Sequence, residues 1–456
     1  MRRDDRRHKA NLTALPERAA ELVASLALAY DAAWEAGMDS TSQRRRVVIA
    51  GAGFAGLEAS KALAKVDVDV ALIDAQNHHC FQPLLYEVAT AALSPADVAW
   101  PIRAILREQK NVRVIMARVT GIDVQARRVH TSKLDLAYDY LILATGATHS
   151  YFGHDDWAPF APGLKQVADA TEIRRRFLLA FERAELVEDA VERARLLTFV
   201  IVGGGATGVE MAGAFADVAW RTLQHDFRRI DPRTSRIVLI EAGPRLLPTF
   251  PEALSNYTAR SLQRMGVEVE LNRKVTGCDA HGVTVDGGRI EAATVVWAAG
   301  IVASPAARWI GADHDRAGRI KVNADLSVPG RPEIFAVGDT ASVTNRDSRP
   351  VPGIAPAAKQ MGRYVGEVIA ARVRGRPAPP PFVYHHMGEL ATIGRKAAVV
   401  KLGPLQLTGF LGWLFWSAVH IYFLIGLRNR FAVALNWLWI YMTFQRGARL
   451  IGIAPR

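Results

Sequence analysis

One supersecondary unit occurs twice in this chain, and that repetition limits the fold more than any other feature. Val47–Ala50 runs into GAGFAGLEAS, and Phe199–Val202 runs into GGGATGVEMA. Each is a short β-branched strand, a glycine turn and a helix-forming segment. Gly51, Gly53 and Gly56 in the first, and Gly203, Gly205 and Gly208 in the second, make GxGxxG. Glycines at that spacing let the backbone turn tightly and approach a pyrophosphate, which rests on the amides of the helix N-terminus. The strands are continuous apolar runs, not alternating ones, which predicts parallel strands covered on both faces. Asp69–Ile73, Tyr140–Ala144, Ile237–Glu241, Val267–Leu271, Thr294–Trp297 and Ile334–Val337 are further expected strands. The fold class is therefore α/β, with two Rossmann-like dinucleotide-binding domains.

Each unit brings an acid at the next strand end. Asp74 lies 23 residues beyond Gly51, where a carboxylate binds a ribose hydroxyl. Glu241 lies 38 residues beyond Gly203, the excess being an insertion at 220–235. A carboxylate there repels a 2′-phosphate, so the second site should prefer NADH over NADPH, with nearby Arg245 weakening the exclusion slightly. Ala144-Thr145-Gly146 ends one later strand, and Trp297-Ala298-Ala299-Gly300 echoes it in the second half. Ile334–Val337 leads into Gly338-Asp339, whose carboxylate suits a ribityl hydroxyl. Two dinucleotide sites in one chain imply two cofactors, one delivering hydride to the other.

Composition narrows the class further. The chain has 456 residues, half of them hydrophobic, which excludes global disorder and suits two or three domains. Cys80 and Cys278 are the only cysteines, too far apart in sequence for a CxxC pair, a disulfide scaffold or a thiolate zinc site. His78, His79, His385 and His386 form two adjacent pairs whose side chains point to opposite faces of a strand, so no metal site is expected. The expected divisions are an N-terminal arm over 1–43, a discontinuous first nucleotide domain over 44–152 and 301–384, a second over 153–300, and a C-terminal region over 385–456. The arm is either mobile or, with Met38 close to the first strand, a mis-called start. Thr171–Arg195 reads as one long charged helix, and Ala357–Val373 as another before a stiff Pro377–Pro381 linker.

The formal net charge is +12, and its placement matters more than its size. After Glu389 there is no acidic residue, while eight Arg and Lys and four of the ten tryptophans lie in that tail. The basic residues flank apolar runs instead of forming a polar stripe, which favours a membrane surface over nucleic acid. Leu402–Leu427 is uncharged over 26 residues, long enough to span; Phe431–Phe444 is too short. Aromatic helices edged by Arg428, Arg430, Arg446 and Arg449 predict a monotopic anchor with cations facing headgroups. A single span and a protein-facing, dimer-forming tail are the alternatives.

With these motifs assembled, the chain resembles the two-dinucleotide-domain flavoproteins. FQPLLYEVATAALSP (81–95), PGIAPAAKQMGRYVG (352–366), GELATIGR (388–395) and WLFWSAVHIYFLIGLRNR (413–430) are similar to the type II NADH dehydrogenases. The resemblance implies FAD on the first unit, NADH on the second, and electron delivery to a lipid quinone without proton pumping. It implies that Glu210 lies beside the nicotinamide and that Lys359 and Gln360 lie near the flavin on the quinone side. It also implies a C-terminal amphipathic membrane anchor, a homodimer, and a place on the cytoplasmic face of the cell membrane. One departure is that Pro356 replaces the first Gln of the AQxAxQ quinone-site signature, while Ala355, Ala358 and Gln360 fit it. A soluble NAD(P)H-dependent flavin reductase of the ferredoxin or rubredoxin type shares both nucleotide units, but needs no uncharged tryptophan-rich tail.

Overall fold

The computed structural model describes residues 44–443 and 445–452. The N-terminal arm lies outside the described residues. The chain divides into two compact units.

The first unit comprises 44–77, Leu106–Gly146 and Pro305–Tyr384. Its sheet has the order Ser327–Val328, Arg331–Ala336, Tyr140–Leu143, Arg45–Ala50, Val68–Asp74, Val112–Met116. All neighbours are parallel except the first, short edge pair. The chain starts at Arg45–Ala50, builds outward on one side and returns to place Tyr140–Leu143 on the other. The strand order reverses at that point, and ligands in open α/β sheets bind in the crevice beyond the carboxyl ends of such strands. The interior strand residues Val47, Ile49, Leu72 and Ile142 are fully buried, as continuous β-branched runs require. Helix Ala355–Val373 lies on the fingerprint helix Phe54–Ala62. The approach is close: a Cβ on Gly362 would sit 2.0 Å from the Ala55 carbonyl oxygen. The packing role expected for 352–373 is thus real, with Pro356 in the first turn where its missing N–H costs nothing.

The second unit comprises His78–Ile105, Ala147–Ser304 and the described residues of 385–452. Its parallel sheet repeats the same order in miniature: Glu268–Glu270, Arg236–Ile240, Thr198–Val202, Thr294–Trp297. Phe177, Phe181, Phe199 and Phe215 pack edge to face and stacked, with Phe177 and Phe215 centroids 4.1 Å apart, fixing helix Val167–Leu186 to the second fingerprint helix Ala206–Asp217. The long helix expected over Thr171–Arg195 is two helices. The first ends at Leu186, and Asp189 starts Ala190–Leu196 by accepting the Val191 and Glu192 amides.

The tail belongs to this unit and also differs from its expected form. The uncharged run 402–427 is not one helix. Gly403 and Gly409 take positive φ, Leu405–Thr408 adds a third strand to Glu389–Gly394 and Ala397–Leu402, and a first helix covers Gly409–Phe423. A second helix, Leu427–Thr443, follows. Among the described residues no helix is long and apolar enough to cross a membrane.

Candidate functional site

Both glycine turns form the same cradle. Gly51 has φ +105°, and a Cβ there would sit 2.3 Å from the Ala144 carbonyl oxygen of the neighbouring strand end. Gly203 has φ +111°, with Ala298 in the matching place at 2.5 Å. On Gly56 and Gly208 a Cβ would meet the carbonyl oxygens of Gly51 and Gly203, each at 1.8 Å. The first and third glycines of each motif are thus required by the protein's own backbone. The middle ones are not: nothing lies within 4 Å of a Cβ on Gly53 or Gly205, and both have ordinary negative φ. The open space over each middle glycine, at a helix N-terminus, is where a pyrophosphate fits.

The two acids face these cradles. Asp74 accepts the Ala52 amide at 2.7 Å and the Gln76 amide at 2.8 Å. Glu241 accepts the Gly204 and Gly243 amides, both at 2.6 Å. Each acid therefore ties its strand end to its glycine loop, at the place from which a ribose hydroxyl is bound. Arg245 donates to the carbonyls of Pro248 and Phe250, so its guanidinium is engaged within its own loop. In the first unit, the Gly146 amide donates to Thr340 Oγ1 at 2.8 Å, bringing the Ala144–Gly146 turn beside Gly338-Asp339. Gly146 and Gly338 both take positive φ, and a Cβ on Gly146 would meet open space. In the second unit, Gly300 lies against the Phe152 ring, which a Cβ on that glycine would approach to 2.7 Å.

Lys359 and Gln360 sit in the first turns of Ala355–Val373, both half-buried. The Lys359 ammonium lies 5.5 Å from the centroid of Phe54, inside the first glycine motif. Burial pulls the Lys359 ammonium below its ordinary range, against the opposing pull of Glu58. Burial pushes the Glu58 carboxyl upward, but Lys61, Lys359 and Arg363 together hold it below its ordinary value.

Glu210 is on the second fingerprint helix. Surrounding protein pushes its carboxyl well above the ordinary range; Glu87 adds to the rise, and the Thr392 amide opposes it. Glu87 is raised for the same main reason, burial, with Arg446 and a 2.8 Å hydrogen bond from the Tyr86 hydroxyl opposing. Asp217, two helical turns along from Glu210, is buried and also raised. The sequence motifs single out neither Glu87 nor Asp217. A signal for the second exists: Glu210 and Asp217 are the only acids in an otherwise apolar helix and share a face at i and i+7.

Arg446 corrects an expectation. It is only 9% exposed and donates to Thr90 O and Oγ1 at 2.9 and 3.1 Å, so it faces the protein and not a headgroup. Asn436 and Asn429 likewise donate to the carbonyls of Ala92, Ala96 and Asp97, seating the last helix on the 90–97 segment. Arg449 pairs with Asp226 and Arg430 stacks over Tyr422, leaving Arg428 exposed.

Cys80 and Cys278 are free, and burial raises the two thiols to about 12 and about 11, which suits packing and not nucleophilic chemistry. No group of His, Cys, Asp and Glu among the described residues is arranged to hold a metal.

Residues 45–362 match the pyridine nucleotide-disulphide oxidoreductase family, and 386–446 match the NDH2 C-terminal domain. The type II NADH:quinone oxidoreductase NdhA of Mycobacterium tuberculosis is 46% identical over 425 residues, covering 90% of this chain and 89% of that protein. A second such enzyme of the same organism, Ndh, is 45% identical over 420 residues, covering 89% and 90%. Among solved structures, NDH2 from Plasmodium falciparum in complex with NADH superposes with a TM-score of 0.82 at 22% identity, covering 89% of this chain and 100% of that one. That likeness is one of fold.

Proposed function

From the premise that the chain belongs to the type II NADH:quinone oxidoreductases, we propose a division of labour among its residues. The enzyme uses FAD and NADH, reduces a quinone and does not pump protons. Bound FAD supplies the redox chemistry, accepting a hydride and releasing two electrons. The first glycine cradle, with Asp74, Ala144–Gly146 and Gly338-Asp339, holds that group. The second, with Glu241 and Gly300, holds NADH. The observation that carries this reading is the doubled cradle, with open space over Gly53 and over Gly205 and an acid on each loop.

Glu210 stands beside the nicotinamide and holds a proton there, because its surroundings disfavour the carboxylate. Lys359 and Gln360 border the quinone side of the first cradle. Depression of the ammonium by burial makes Lys359 a better proton donor than a surface lysine. Pro356 cannot supply the amide group of the signature Gln it replaces, so Gln360 is the remaining side-chain amide of that signature.

Glu241→Gln tests the second cradle. The loop bonds to Gly204 and Gly243 lose their charge, as does the bond to the ribose. At about 1.5–3 kcal/mol for a charge-assisted hydrogen bond, preference for NADH over NADPH should fall by roughly 10–100-fold. The ratio of kcat/KM for the two nucleotides reads this directly; unchanged discrimination would contradict the assignment.

The proposed docking of the enzyme is at the cytoplasmic face of the membrane, through the two C-terminal helices. Leu427, Phe431, Leu435, Leu438 and Met442 recur every three or four residues and are all at least half exposed. Phe410, Leu411 and Leu414 extend the exposed apolar surface on Gly409–Phe423. A stripe this long and this apolar is unlike an ordinary water-facing helix. A second copy of the chain is the competing occupant of this stripe.

A further inference from the structure

Glu210 does not stand alone in its unit. It lines a cavity of about 60 Å³ together with Tyr86, Glu87, Asp217, Trp416 and Trp437. At roughly 10–15 Å³ of such space per molecule, the cavity has room for about four waters. Trp416 is only 2% exposed, and its indole N–H has no hydrogen-bond partner among the described residues; the buried Nε1 of Trp437 is in the same condition. Buried donors of this kind call for an acceptor, and water is the acceptor that fits the volume.

The cavity wall carries three carboxyls, Glu87, Glu210 and Asp217, against two guanidinium groups, Arg395 and Arg446. The groups facing Glu87 are Tyr86, Glu210, Asp217 and Arg446. Arg446 directs its hydrogen bonds to Thr90, not to any of the carboxyls. Asp217 is bonded by the Arg395 amide at 3.0 Å, and Arg221, half exposed, lies 3.8 Å away on the solvent side. Three carboxyls lining one small pocket raise one another's hold on protons, which Arg446 and Arg395 oppose.

We propose that Glu87 is a proton-relay residue of the quinone reductase reaction, passing protons through water in this cavity from Asp217 to Glu210. When Glu210 has given up its proton during turnover, the Glu87 O–H bond breaks toward a water, and that water protonates the Glu210 carboxylate. The carboxylate left on Glu87 is held by the Tyr86 hydroxyl and the field of Arg446. Asp217 then restores its proton, drawing on solvent near Arg221. No electron moves in this sequence, and one proton enters for each one delivered. The relay rests on the assignment of Glu210 as the proton-holding group beside the nicotinamide.

Infrared spectroscopy of the purified flavoprotein, in H2O and D2O, reads the relay without turnover. At neutral pH the wild type should show deuterium-sensitive carbonyl bands of protonated carboxylic acids. Glu87→Gln should remove one component, and Asp217→Asn another. With flavin content unchanged, Glu87→Gln should lower quinone-dependent kcat by about tenfold or more, and Glu87→Asp should restore part of it. The pH at which kcat falls should also move in Glu87→Gln. Identical infrared bands and an unmoved pH profile in both Glu87→Gln and Asp217→Asn would overturn the relay. Full turnover in Glu210→Gln would overturn it differently, by removing the proton acceptor on which it rests, even with the Glu87 band present.

Discussion

Gly205→Ala is expected to yield a folded, fully flavin-loaded enzyme that binds NADH about 5–150-fold more weakly. The three glycines of the motif differ in what surrounds them. A methyl on Gly203 or Gly208 collides with backbone at 2.5 or 1.8 Å, so loss of function there would report a broken loop. A methyl on Gly205 meets no protein atom, so the fold has no reason to change. What it meets is the open space that the proposed assignment gives to the NADH pyrophosphate, where an intruding methyl costs about 1–3 kcal/mol. Gly53→Ala should act on the other cofactor: the protein folds, but flavin is lost on dialysis. Flavin absorbance per polypeptide and the NADH dissociation constant are the two readouts. Flavin loss from Gly205→Ala with tight NADH binding would reverse the assignment of the two cradles.

Replacing Phe431, Leu435 and Leu438 together by Glu should release the enzyme from lipid vesicles. Each side chain fully buried in an apolar phase is worth about 1.5–3 kcal/mol. Three of them, even half buried, amount to roughly a hundredfold or more in partitioning. The substitution is a better probe than removal of the tail. Strand Leu405–Thr408 completes a sheet, and Asn429, Asn436 and Arg446 hold the 90–97 segment, so truncation would disturb the second unit itself. Vesicle flotation measures the outcome. Retained flotation with a dimer split into monomers would give the stripe to a second copy of the chain.

The strands were legible because a buried parallel sheet writes itself as continuous β-branched runs. Val47–Ala50, Phe199–Val202 and Thr294–Trp297 all lie in strands, and the doubled strand-turn-helix pattern became doubled sheet order. What sequence could not separate was one apolar element from another. In 402–427, hydropathy is uniform, but positive φ at Gly403 and Gly409 divides a strand from a helix. The break at Val187–Asp189 was hidden because charged residues on both sides keep helical spacing; the capping of Val191 and Glu192 by Asp189 decides it. Arg446 resembles Arg449 and Arg428 in its sequence setting, and only the Thr90 acceptors turn it inward. The carboxyl group of Glu87 comes from a segment far upstream of Glu210 in the chain, a pairing that no local pattern encodes.

The proposed route takes electrons from NADH to a quinone through a flavin in the first cradle, and anaerobic titration of the purified enzyme tests that route most directly. One equivalent of NADH should bleach the flavin absorbance completely, and a following equivalent of quinone should restore it. Flavin that stays oxidised while NADH is consumed, or that stays bleached while quinone is reduced, would contradict the route.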